Sequence, residues 1–177
     1  FHKLNISYSG RSELKTLTSI DRNLSNQANT LTKTSYSLLY INELLIKLLP
    51  KDAQQEDLFN LYEQFLKKVN NDSNLELTLR HFELDLLDML GYGFDYDSEI
   101  DNQKPIEINS SYSFVSERGF RKSNNSNFLG KDILSLKNRN LEEVPLKYLK
   151  EITTKAINSC LDGRDLTSRK IFRTIKQ

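Results

Sequence analysis

The side chains best able to do chemistry in this 177-residue chain are cations. Arg11 and Lys15 flank a short turn near the N-terminus, and Arg164, Arg169, Lys170 and Arg173 recur through the C-terminal tail. Arginine and lysine on an accessible surface neutralise phosphates, which makes these residues the expected nucleic-acid contacts, with binding that weakens steeply as salt rises. The same residue types are also the ordinary solvated charges of a protein surface. Enzyme constellations do not stand up. Gly130-Lys131-Asp132 is a lone Gly-Lys pair rather than a GxxxxGK[ST] phosphate loop. Cys160 has no partner at a catalytic spacing in either histidine, His2 or His81. A single cysteine excludes an internal disulfide and a thiolate cluster, and its neighbours Ile157 and Leu161 predict a buried structural thiol. Asp95, Asp97, Glu99 and Asp101 crowd four carboxylates together, but without the ligand order and glycine of an EF-hand loop. The chain is read as a non-enzyme that needs no metal or cofactor.

Charge is unevenly spread. Between Lys51 and Asp101 four basic residues face thirteen acids, net −9, whereas Arg118 to Arg139 holds six basic residues and one acid, and Cys160 to Gln177 five basic and two acidic. Either the protein carries one acidic and one basic surface, or the fold brings these stretches together and they cancel. No run of eighteen apolar residues exists to span a membrane, and the start, FHKLNISYSG, lacks the build of a secretory signal and an initiator Met. The chain is therefore expected to begin inside a longer protein.

The elements that must position these residues are mostly helical. Leu75, Leu79, Phe82, Leu86 and Leu90 recur at spacings of three and four, with Leu84 and Leu87 widening the stripe, until Gly91 and Gly93 end it. Ser35 to Leu49, stopped by Pro50, and Gln55 to Val69 carry similar stripes, and Asn70 to Asn74 reads as a turn. Three successive helices with short loops predict an antiparallel bundle. Asn42 and Glu43, at the edge of the first stripe, are expected to bond a neighbouring backbone. His2 to Tyr8 and Leu14 to Thr18 alternate about a Ser9-Gly10-Arg11-Ser12 turn and predict a β-hairpin. Asp21 to Thr34 is a polar connection. From Phe94 to Phe128 the only strand-like run is Ser111 to Val115. A last long helix is predicted over Asn140 to Leu161, with Asn140 and Glu143 as a capping pair, Pro145 in its first turn and Gly163 ending it.

Several of these stretches, in order, resemble the RecO family of bacterial recombination mediators. LRHFELDLLDMLGYG is similar to the family's central helix, SLLYINELLIKLLP to its Tyr-(Ile/Leu)-Asn-Glu-Leu-Leu helix, Gly10 to Leu17 to the end of its N-terminal OB-fold barrel, with Ser12 in place of a glycine, and Asp162 to Arg173 to its closing segment. Ser116 to Phe120 resembles the Glu-Lys-Gly-Phe turn of members without metal, and the stretch matching the family's four-cysteine zinc module, Asp95 to Asp101, has no cysteine.

The resemblance implies a mainly α fold: a residual OB-fold hairpin at 1–20, then a helical domain at 21–177 carrying a small metal-free β-rich insertion at about 94–128. It implies a cytoplasmic, nucleoid-associated DNA repair protein. The family's members bind single- and double-stranded DNA, anneal strands, work with RecR, assist RecA loading, and capture the acidic, Phe-terminated tail of the single-stranded DNA-binding protein. For that tail the resemblance points to Arg80 and Leu90, with His81 where some relatives have a second arginine. The alternative is a helical adaptor that binds proteins alone, with DNA contact confined to the barrel.

Overall fold

Leu4, Ile6 and Tyr8 stand two apart, the period of a strand. In the computed structural model, which describes residues 4–22, 33–50, 55–69, 74–126 and 128–175, they lie in β1 (Leu4–Ser9), antiparallel to β2 (Thr16–Arg22). Ile6 faces Ile20, and a register shift after Ser7 sets Tyr8 opposite Leu17. The reversal uses Gly10 at φ +116°, which a side chain would strain, and Lys15 Nζ closes it by donating to the Gly10 carbonyl at 3.1 Å. The predicted hairpin is present. The chain divides into two units, 1–32 and 33–177.

In the second unit α1 (Lys33–Leu48), α2 (Glu56–Val69) and α3 (Leu75–Met89) are the three predicted helices. Acids open α2 and lysines close it, the order the helix dipole favours. Asn74 caps α3 by accepting from the Leu77 amide at 3.3 Å, and Gly91 at φ +79° ends it, with the Tyr92 amide reaching back to the Leu87 carbonyl at 2.8 Å. Residues 70–73 of the turn expected at 70–74, most of the 21–34 connection, and His2 lie outside the described residues.

The predicted strand is β3 (Ser111–Val115), and it is the middle of a three-stranded antiparallel sheet with β4 (Gly119–Lys122) and β5 (Phe128–Leu129) at its edges. A chain of rings fixes this sheet to the helices. Phe94 meets Phe114 at 4.8 Å between centroids, Phe114 meets Phe120 at 5.6 Å, Phe120 meets Phe128 at 5.7 Å, and Phe128 meets Tyr148 at 5.1 Å. Tilted and edge-on pairs at such separations gain beyond their burial.

The last predicted helix needs correction. A separate helix, α4 (Gly130–Lys137), ends before the predicted stretch, which opens with a 3-10 turn at Leu141–Glu143; α5 starts only at Leu146 and ends at Cys160. Pro145 is its N-cap, and the Asn140–Glu143 capping pair does not form; Glu143 instead accepts from Ser135 Oγ at 2.7 Å. The tail forms one more helix, α6 (Thr167–Ile175). α3 is the pivot of the unit, packed against both α2 and α5, while α6 lies on α1.

Candidate partner-binding groove and cationic tail

Side by side, α2 and α3 leave a groove of about 420 Å³ between them. Leu61, Phe65, Leu77 and Phe82 supply its apolar lining, and the Phe65 and Phe82 rings meet tilted, 4.8 Å between centroids. Lys68 and His81 bring positive or potentially positive charge to the rim; Asp85 and Glu142 bring acids. Asp85 is already matched, because Arg139 Nε donates to it at 3.1 Å. Arg139 also pairs with Asp88 and holds a left-handed backbone (φ 59°) just past α4. Burial pushes the His81 imidazole below its ordinary pKa; Glu142 and Asp85 pull it back up, and Lys68 and Arg139 push it further down. The ring is therefore neutral at pH 7 and becomes cationic only on acidification.

Arg80 and Leu90 lie elsewhere. Neither lines this groove. The Arg80 side chain is 9% exposed and points into the core, where Nη1 donates to Glu83 at 2.6 Å and to Thr153 of α5 at 2.8 Å. Its Nε is buried without a hydrogen-bond partner. Glu83 is fully buried and accepts a second bond, at 2.6 Å, from the hydroxyl of Tyr40 on α1. Burial pushes the Tyr40 phenol upward, so it stays protonated and donates. Arg169 of α6 then donates to the Tyr40 oxygen at 3.2 Å and to Asn158 at 2.6 Å, and lies over the Tyr40 ring. The chain Arg80–Glu83–Tyr40–Arg169 thus ties α3, α1 and α6 together. Leu90 is partly buried at the α3 C-cap and packs against the core.

The cations expected to meet phosphate fall into both units. Arg11 and Lys15 are exposed on the hairpin. Arg164 closes helix ends, with Nη1 on the Lys47 carbonyl at 2.6 Å and Nε on the Leu161 carbonyl at 2.9 Å. Lys170 pairs with Asp165 at 2.6 Å. Arg173 is in α6, and its side chain lies outside the described residues. Arg164 donates to the Lys47 carbonyl, and Lys47 and Lys170 both reach Asp165; Lys47 is the cation that sequence reasoning missed. Four cations of the basic stretch from Arg118 to Arg139 are matched in space: Arg121 pairs with Asp101, Lys122 with Glu107, Lys137 with Asp97 and Arg139 with Asp85, each within 3.1 Å. Cys160 is half-buried rather than fully buried, and burial raises its thiol to a pKa of about 11.

Glu43 bonds a neighbouring backbone, as its position on α1 predicts. It caps α6 from outside, accepting from the Thr167 and Ser168 amides at 2.8 Å each and from Ser168 Oγ at 2.6 Å. Asn42 accepts instead from the Tyr62 hydroxyl at 2.7 Å. Burial alone would raise the Glu43 pKa, but these bonds and Lys47 outweigh it and hold the carboxyl at about 2. A pKa lowered on folding stabilises above the unfolded value near 4.5, and that contribution is lost as pH falls toward 2. Glu43→Gln is expected to loosen α6 at pH 7, read as faster exchange of the Thr167 and Ser168 amides. The wild-type advantage should vanish between about pH 4.5 and pH 2; an advantage independent of pH in that window would refute the capping account.

No helix among the described residues is long and apolar enough to cross a membrane, and no group of three or more His, Cys, Asp or Glu is placed to hold a metal. The comparisons with known proteins agree with the resemblance in the helices. Residues 30–163 match the family described as Recombination protein O C terminal. The DNA repair protein RecO of Pectobacterium atrosepticum is 37% identical over 98% of this chain and 72% of its own length. That of Pseudoalteromonas atlantica is 32% identical over 98% and 73%, and that of Coxiella burnetii 35% over 97% and 76%. By the span of the family match and the cover of these relatives, the chain belongs to the RecO family.

Proposed function

We propose that the chain serves DNA repair as a recombination mediator, and that its helical unit recruits the single-stranded DNA-binding protein by that protein's acidic, Phe-terminated tail. The groove between α2 and α3 carries this reading. A terminal Phe ring fits the apolar lining of Leu61, Phe65, Leu77 and Phe82, and its carboxylate finds Lys68 and, once protonated, His81 at the rim. Arg80 acts from behind the groove by holding α3 in the core, and Leu90 by closing the helix. In the same reading Arg11 and Lys15 on the hairpin and Arg164, Arg169, Lys170 and Arg173 at the tail form the DNA-facing cations. RecR and RecA loading enter as the family's shared task, carried out in the cytoplasm without turnover of a substrate.

A second reading has one observation in its favour. Arg164 and Arg169 spend their donors on protein groups, which fits a helical unit that binds proteins and leaves DNA to the rest of the family's architecture. Fluorescence anisotropy with a labelled tail peptide and a labelled oligo-dT, in parallel, separates the two. Lys68→Glu is expected to weaken the peptide roughly tenfold or more, since reversing a charge within contact range shifts the energy by about 2 kcal/mol even in a water-like dielectric. Wild-type affinity should rise as pH falls below the ordinary histidine range, because a bound carboxylate favours the imidazolium; His81→Arg should bind tightly at all pH and His81→Gln should lose the rise. Unchanged peptide affinity in Lys68→Glu and a flat wild-type pH profile would remove the groove from this role. Salt-sensitive oligo-dT binding supports the mediator reading, and peptide binding without it supports the adaptor.

A further inference from the structure

Glu99 is only 4% exposed, and the loop that carries it is tied down on both sides. Its amide donates to the Lys104 carbonyl at 2.9 Å beside the Ser98–Pro105 bridge, and the next amide, of Ile100, donates to the Phe120 carbonyl of β4 at 2.9 Å. Asn102 Nδ2 donates to Glu99 Oε1 at 3.1 Å. Oε2 accepts no hydrogen bond from the described residues and opens on a pocket of about 200 Å³, lined also by Asp101, Lys104, Glu107, Tyr112 and Lys122. The other two acids there are already matched, Asp101 by Arg121 at 2.9 Å and Glu107 by Lys122 at 2.6 Å. Lys104 is exposed and forms no ion pair with Glu99, so among the described residues this buried carboxylate has Asn102 as its one side-chain partner and no countercharge in contact. Burying a carboxylate in that way is costly, and a cation entering the pocket would relieve it.

We propose that this pocket receives an arginine side chain of a partner protein, whose guanidinium donates to the free oxygen of Glu99. The volume falls below the range of about 300–1,000 Å³ usual for small-molecule sites, and it suits one long side chain. A slender guest is needed, because Glu99 is in the wall of the pocket rather than on the open surface. Arginine fits better than lysine, since a guanidinium is more weakly hydrated than an ammonium and gives up less on entering a buried ion pair. The tied backbone keeps the pocket preformed, so binding has to order little besides the guest. The site shares no residue with the α2–α3 groove and stands independently of the role proposed for that groove.

The probe is the blocked tripeptide acetyl-Gly-Arg-Gly-amide, titrated into the isotope-labelled full chain. The readout is the Asn102 side-chain amide together with the backbone amides of Glu99, Ile100 and Tyr112. Saturable shifts at these positions are expected, with affinity falling roughly tenfold in Glu99→Gln, the scale of one hydrogen bond to a charged group. Lys104→Ala should tighten the peptide, because it removes a competing positive charge beside the guest. The same tripeptide with citrulline in place of arginine keeps the length and planarity of the side chain without its charge, and it should produce no saturable shift. That comparison uses the wild type and holds even if Glu99→Gln fails to fold. Spermidine, a cation that no protein carries, should bind these amides more weakly than the arginine peptide. Absence of saturable shifts with the arginine peptide, equal binding of the citrulline peptide, unchanged affinity in a folded Glu99→Gln, or tighter binding of spermidine overturns the proposal.

Discussion

Glu83→Ala should cost about 3–5 kcal/mol, the range observed when one partner of a buried ion pair is removed and the other left behind. Glu83 is fully buried and Arg80 is 7% exposed, so the alanine strands a guanidinium in the core with Thr153 as its remaining partner from this network. It also leaves the Tyr40 hydroxyl without its acceptor. A typical domain has only about 5–15 kcal/mol of stability in total. Urea unfolding should therefore show a large fall in midpoint, and Arg80→Ala a comparable one for the mirror-image reason. Replacing both with apolar residues of similar length, Arg80→Met with Glu83→Leu, should recover most of the loss, since neither charge is then buried alone. A single Glu83→Ala variant as stable as the wild type would contradict the buried network. Peptide binding by Arg80→Ala confuses folding with recognition, which is why Lys68 and His81 at the groove's rim are the positions to change.

Gly130→Ala is the second large effect. A Cβ at Gly130 would overlap the Glu107 carbonyl and press on Ile106, where the loop before β3 crosses the start of α4. The Gly130 amide donates to the Ser110 carbonyl at 2.9 Å and the Lys131 amide to the Ile108 carbonyl at 2.9 Å, so the two backbones cannot separate without breaking both bonds. Overpacking against backbone costs about 1–3 kcal/mol and sometimes more. The damage should centre on the small sheet: faster amide exchange in β3 and β4, with α2 and α3 keeping their protection. Uniform loss across α2 and α3, or no loss at all, would refute this placement. The sheet of β3, β4 and β5 is held in shape from both sides. The run of rings from Phe94 to Tyr148 and the close crossing at Gly130 provide the contacts that fix it.

The helices were legible because their apolar periods are long. α2 begins and ends within one residue of the expected span, α1 within two, and the α3 stop at Gly91 follows from a glycine that adopts a left-handed turn. β4 and β5 were not, since four and two residues are too few to show a period. The false start at Asn140 came from reading a capping pair where Arg139 already ends α4 and Pro145 opens a new helix. Arg80 and Glu83 sit three apart on the face of α3 that the apolar stripe marks as buried. That spacing was the available sign of a buried pair, and the resemblance drew Arg80 to a surface role instead. Arg139 carried no local signal at all, and Lys68 and Lys47 read as ordinary charges on a helix surface. Arg139 finds Asp85 and Asp88 on α3, and Lys47 reaches the Asp165 carbonyl before α6, both far away in sequence; pairs of this kind cancel part of the charge separation seen along the chain.

The most direct test of the central claim is to map where a Phe-terminated acidic peptide binds, by following amide and methyl shifts of the labelled protein during titration. Saturable shifts at Leu61, Phe65, Leu77, His81 and Phe82, lost in Lys68→Glu, are the predicted result. Shifts confined to other surfaces, or the same shifts with unchanged affinity in Lys68→Glu, would contradict the assignment of the α2–α3 groove as the recruiting site.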